Sequence, residues 1–186
     1  MTTWQRDKAV ARLFHEKKIC WKECTRDGVF RGIKDRTGWD IKFSACVERP
    51  VILNEFSPEK AVYLGIEKEW RIPEQLIKEL EKYPEQMLPA GESRAHRLLN
   101  SFLSGRGKNY HKLLSKPGAS RKSCSRLSPH IAWGNISLRQ IYQIARSHPN
   151  SSNHKMAVRA FLTRIKWNAH FIQKFEVDCT YETDCR

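Results

Sequence analysis

From Ser93 to Phe175 the chain contains no aspartate and no glutamate, although the same stretch carries sixteen lysines and arginines. Without a carboxylate, this stretch can supply neither a paired general acid and base nor a carboxylate-rich metal cage. Hydrolase chemistry of that kind is excluded there. Other absences narrow the field further. No run of about eighteen apolar residues occurs, so no membrane-spanning helix is expected. The start, Met1 to Lys8, lacks the apolar core of a secretory signal. The six cysteines, Cys20, Cys24, Cys46, Cys124, Cys179 and Cys185, form no CxxC pair. With no secretory signal they read as reduced thiols of a cytoplasmic protein. His15, Cys20 and Cys24 have no second pair of ligands to join, and no metal site is expected.

What is present is a basic, globular chain. Its 186 residues are 40% hydrophobic and 10% aromatic, which suits one ordinary domain or two small ones. The net charge of +14 is unevenly spread: residues 1–92 hold seventeen basic and sixteen acidic side chains, and the last eleven residues are acidic. Dropping every carboxylate from the middle of the chain avoids repulsion with an anionic partner.

Three regions follow from the patterning. In residues 1–49, Thr3 to Lys18 reads as an amphipathic helix with Trp4, Val10, Leu13 and Phe14 on one face. Ile19 to Cys24 alternates like a half-buried strand, Asp27-Gly28 is a turn, and Gly38 to Val47 is a further short helix. Residues 50–90 are broken by Pro50, Pro58, Pro73, Pro84 and Pro89 and read as a long linker, with one helix between Pro73 and Lys82; a loop-rich part of a single domain is the alternative. Residues 91–186 read as helical. Glu92 to Leu103 ends near Gly105, Ser125 or Ser128 caps a helix running to Trp133, and Ser137 caps one through Arg146. In the last helix Phe161, Ile165, Asn168, Ile172 and Phe175 form the apolar stripe, widened by Leu162 and Ala169.

The chemistry is concentrated in two places. Cys124, Ser125, Arg126, Leu127 and Ser128 put hydroxyls and a guanidinium where a helix begins, a position whose free N–H groups favour phosphate. An ordinary helix cap is the alternative, and the neighbouring Arg121 and Lys122 weigh against it. Trp167, between Arg164, Lys166 and Asn168, can stack on a base or an isoalloxazine ring, or can be a core residue. Trp133 is expected in the core. His130 and His170 are expected as structural or groove residues, and no catalytic residue is expected.

These segments resemble the photolyase/cryptochrome family. Gly91-Glu92 with Ala95, Leu98 and Phe102-Leu103 resembles the first helix of its flavin-binding domain. Cys124 to Pro129 followed by Trp133 to Ser137 is similar to its phosphate-clasping segment, and Phe161 to Glu176 to the helix whose tryptophan packs on a flipped-out lesion. Gln5 to Val10 and Gly28 to Gly32 are similar to the end of its α/β antenna domain. The resemblance implies a mainly α fold: a partial, helical photolyase-type FAD-binding domain over 91–186, preceded by a small α/β remnant over 1–49 and the linker. It implies FAD held by Tyr110, Cys124, Ser125, Arg126, Leu127 and Ser128. It also implies DNA, ultraviolet-damaged in repair enzymes, met by Arg121, Arg159, Arg164, Lys166 and Trp167. Full-length relatives perform light-driven repair of pyrimidine dimers or blue-light signalling. Three positions depart from the pattern. The family's lesion-reading Glu and the Arg after the tryptophan are here Arg164 and Asn168, and a threonine is Cys124. Whether the chain is itself a lyase stays open, and its span relative to the family suggests a fragment. The alternative is a non-enzymatic basic nucleic-acid-binding module or an inactive fragment.

Overall fold

The computed structural model describes residues 3–22, 24, 28–53, 72–82, 88–178 and 180, which are mainly helical, with no strand among them. Helix α1 spans Thr3–Glu16, α2 Trp39–Glu48, α3 Glu74–Glu81 and α4 Glu92–Ser101. A π-helical turn, Phe102–Arg106, continues α4, and the short helices α5 (Tyr110–Leu113), α6 (Pro117–Ser123) and α7 (Ser128–Ala132) follow. Helix α8 covers Leu138–Ser147 and α9, beyond a 3-10 turn at Pro149–Ser151, covers Lys155–Val177.

Local chemistry starts these helices. Ser137 and Gln140 form a reciprocal capping box on α8: the Ser137 hydroxyl accepts from the Gln140 N–H at 3.1 Å, and the Gln140 side chain accepts from the Ser137 N–H at 2.8 Å. Two of the orphan donors at the helix start are thereby satisfied. Pro117 opens α6, where a missing N–H costs nothing. Packing then selects the faces. Helix α2 buries Trp39, Phe43 and Val47 at four-residue spacing, α4 buries Ala95 and Leu99, and α8 buries Leu138, Ile141 and Ala145. These side chains share one core with Phe102, Leu103, Leu127, Ile136, Phe161 and Ile165. Helix α2 thus belongs to the same core as the helices beyond residue 91, although the stretch 50–90 separates them in sequence.

Two polar contacts fix the N-terminal segment against α9. The fully buried Gln173 amide pairs with the Phe30 backbone in both directions, accepting from its N–H at 2.6 Å and donating to its carbonyl at 2.9 Å. The Trp39 indole donates to the Gly28 carbonyl at 2.8 Å. Gly28 has φ 76°, and a Cβ there would run into the Phe43 ring, so both its left-handed backbone and the close ring require glycine.

Several expectations need correction. Ile19 to Lys22 is irregular and exposed, not a strand, because no neighbouring strand offers it a ladder among the described residues. Trp133 is 86% exposed instead of buried. Helix α7 is barely more than one turn, and its end carries the ring outward. Gly105, expected where the helix stops, does interrupt it, but as a kink: its φ of 172° and ψ of −36° leave the helical region inside the turn Phe102–Arg106. On α9 the buried residues are Ala157, Phe161, Ile165, Ala169 and Gln173, while Asn168 is exposed and Ile172 and Phe175 are only partly buried. A strict four-residue spacing rotates the buried face along a 3.6-residue helix. The neighbours change accordingly, from Phe102 and Tyr110 beside Phe161 to Phe30 beside Gln173.

Candidate functional site

The residues singled out in the sequence fall on two surfaces. The first is the loop between α6 and α7, and its organiser is Arg106. The Arg106 guanidinium donates to the Cys124 carbonyl, to the carbonyls of Leu98 at 3.1 Å and Ser125 at 3.5 Å, and through Nε to the Ser101 hydroxyl at 3.3 Å. Burial lowers its pKa, yet a guanidinium remains charged at neutral pH. Over this cation the loop bends sharply. Arg126 has φ 60°, a left-handed conformation that costs a side-chain-bearing residue about 1–2 kcal/mol. The bend drives Leu127 into the core, where it is 1% exposed.

This geometry changes the roles expected of the loop. Leu127 occupies the cap position of α7, and neither Ser125 nor Ser128 caps it. Cys124 and Ser125 are half-buried and give their carbonyls to Arg106, whereas Arg126 and Ser128 are exposed. Tyr110 packs edge-on against Phe102 at 5.4 Å and Phe161 at 6.1 Å, and burial raises its phenol pKa. Arg126 and Ser128 are the exposed polar side chains of a loop that holds no acid, so an anion meets no opposing charge there. Leu127 and Tyr110 would act through packing alone.

The second surface is the outer face of α9. A cavity of ≈ 420 Å³ between α8 and α9 is walled by Arg146, Lys155, Arg159 and Leu162, among others. A second cavity, of ≈ 450 Å³, is walled by Trp39, Asp40, Trp167, His170 and Phe171. Thr163 and Lys166 line both, so the two adjoin as a groove along α9, basic at one end and aromatic at the other, with Lys166 at the boundary. Arg146 is paired with Glu48 at 2.9 Å and Lys166 with Asp40 at 2.8 Å. Lys155 and Arg159 form no ion pair among the described residues.

At the aromatic end Trp167 is 42% exposed, not a core residue. Phe171 meets its ring edge-on at 6.2 Å, and the Arg164 guanidinium lies 4.2 Å from its centroid. His170 closes the floor, 5.5 Å from the Trp39 ring and 2.9 Å from an Arg36 nitrogen that donates to it. The structure therefore brings together Arg159, Lys166 and Trp167, with Arg164 alongside. Arg121 lies apart on α6 and lines neither cavity. Sequence reasoning missed Arg106, Arg146, Lys155 and Asp40. The first hydrogen-bonds only to backbone carbonyls and a hydroxyl, and Asp40 reaches the groove through α2 packing, which no local pattern announces.

Among the described residues there is no group of three potential metal ligands, and no helix is long and apolar enough to cross a membrane. Comparison with protein-family models, with curated proteins and with solved structures gives no match to this chain.

Proposed function

We propose that this chain is a DNA-binding protein of the photolyase type, which takes a strand along the outer face of α9 and stacks an unpaired base on Trp167. One observation carries the DNA part. An exposed tryptophan stands beside Arg164 at the end of a groove whose other end holds Lys155 and Arg159 without acidic partners. Cations there meet phosphates, and the ring supplies sequence-tolerant stacking of about 1–3 kcal/mol per base. An unpaired, mismatched or damaged base is the cheapest to extrude from a duplex, so such sites are favoured.

The flavin part rests on the resemblance of residues 123–142 to the family's phosphate-clasping segment, together with the exposed Arg126 and Ser128. When bound, FAD supplies the light-driven electron chemistry of that family. On this reading Arg126 and Ser128 meet its phosphates, and Arg106 holds the loop in place beneath them.

The two parts are tested separately. Trp167→Ala is expected to weaken binding to an oligonucleotide with one unpaired thymine by about tenfold, with little change for intact duplex. An equal effect on both, or none, would leave a basic module that binds through charge alone, the second reading that the unpaired Lys155 and Arg159 support. Incubation with FAD should give a protein that absorbs blue light after removal of free cofactor. A colourless product removes the flavin without touching the DNA claim.

A further inference from the structure

Among the described residues that line the groove, Asp40 is the single acid. Its position is unexpected on charge grounds. A carboxylate beside a bound polyanion repels it, and the α9 stretch opposite carries no carboxylate at all before Glu176. Yet Asp40 stands on the wall of the aromatic cavity, together with Trp167, and Lys166 reaches across to its Oδ1 at 2.8 Å.

That contact leaves much of the pair's hydrogen-bonding capacity turned to solvent, the Asp40 side chain being 72% exposed and that of Lys166 33%. An ionised carboxylate has about four lone-pair sites and an ammonium three N–H donors, and one of each is spent between them. Asp40 and Lys166 therefore present an acceptor beside donors, at the edge of the cavity in which Trp167 offers its ring. Every nucleobase carries the complement on its Watson–Crick edge, an N–H beside an acceptor. In a duplex the opposite base occupies that edge.

We propose that Asp40, with Lys166, reads the free Watson–Crick edge of the base stacked on Trp167. The site then senses whether a base is unpaired and not which base it is. Asp40 is a specificity-determining residue supplied by α2, at a place on the groove wall where α9 itself has only cations and neutral side chains. The inference rests on the DNA reading given above.

The test compares two duplexes with an abasic site opposite the central nucleotide. One carries thymine there, the other difluorotoluene, which has the same shape but lacks the N–H and the strong acceptors. Wild-type protein is expected to bind the thymine probe about fivefold more tightly, and Asp40→Ala to bring that ratio to about one. Where Asp40→Ala does not melt cooperatively, the isosteric Asp40→Asn serves, with the ratio reduced about twofold because a neutral acceptor is weaker. A wild-type ratio of one overturns the proposal. So does an Asp40→Ala protein that binds both probes more tightly by the same factor, since Asp40 would then only compete with phosphate for Lys166. Trp167→Ala separates the two levels. If it has no effect on either probe, the DNA reading fails; if its effect persists while the wild-type ratio is one, only the role of Asp40 fails.

Discussion

A guanidinium that donates to three carbonyls and a hydroxyl, with no carboxylate beside it, acts as a clip and not as half of an ion pair. Arg106 ties the end of α4 to the 124–128 loop in this way. Arg106→Ala strands the Leu98, Cys124 and Ser125 carbonyls, and urea unfolding is expected to show a loss of about 2–3 kcal/mol. Arg106→Lys should recover little, because an ammonium cannot reproduce the planar fork. A loss within about 0.5 kcal/mol of wild type would mean that water satisfies those carbonyls instead. None of this was legible in the sequence. Backbone carbonyls carry no residue identity, so a clip of this kind leaves no spacing to find. The hydroxyls and cation of the same loop did stand out, but the left-handed Arg126 and the inward Leu127 redistribute their roles.

At the scale of elements, helix positions were readable because caps and periodicity are local. The Ser137–Gln140 capping box and the 3.6-residue pattern of α9 are both properties of a few neighbouring residues. Which face of α9 is buried was not local. Ile172 and Phe175 were the natural core candidates by hydropathy, and Gln173 was not. Its burial is made tolerable by the Phe30 backbone, far away in sequence. Gln173→Leu keeps the volume and removes both hydrogen bonds. It is expected to cost about 2 kcal/mol and to speed amide exchange at Phe30 while leaving exchange in α8 near its wild-type rate. Uniform acceleration throughout the chain would show that the contact holds the whole fold and not one segment. The strand expected at Ile19–Cys24 failed for a related reason: alternation describes one strand, and a sheet needs two.

For the molecule as a whole, the charge asymmetry was visible from composition, whereas the union of α2 with the later helices was hidden behind the proline-broken stretch. That union places His170 against Trp39 and Arg36, and it sets a pH dependence. Burial first, and the Arg36 charge second, hold the His170 pKa below its ordinary 6.5; Lys166 and Lys174 act in the same direction and Asp40 opposes them. The unfolded chain takes up a proton near 6.5 that the folded chain resists, so stability is complete above that pH and falls as pH drops through it. The melting temperature should therefore fall between pH 7 and 5 by more in wild type than in His170→Gln. Parallel curves would exclude His170 as the cause. The pairing of Phe30 with Gln173 has one more consequence, for biosynthesis. A ribosome delivers Phe30 first, and its amide partner is 143 residues away. At about 5–20 residues per second the gap lasts on the order of ten seconds. Until α8 emerges, late in that interval, α2 waits with Phe43 and Val47 uncovered, which makes the nascent chain a natural client for chaperones that shield apolar surface.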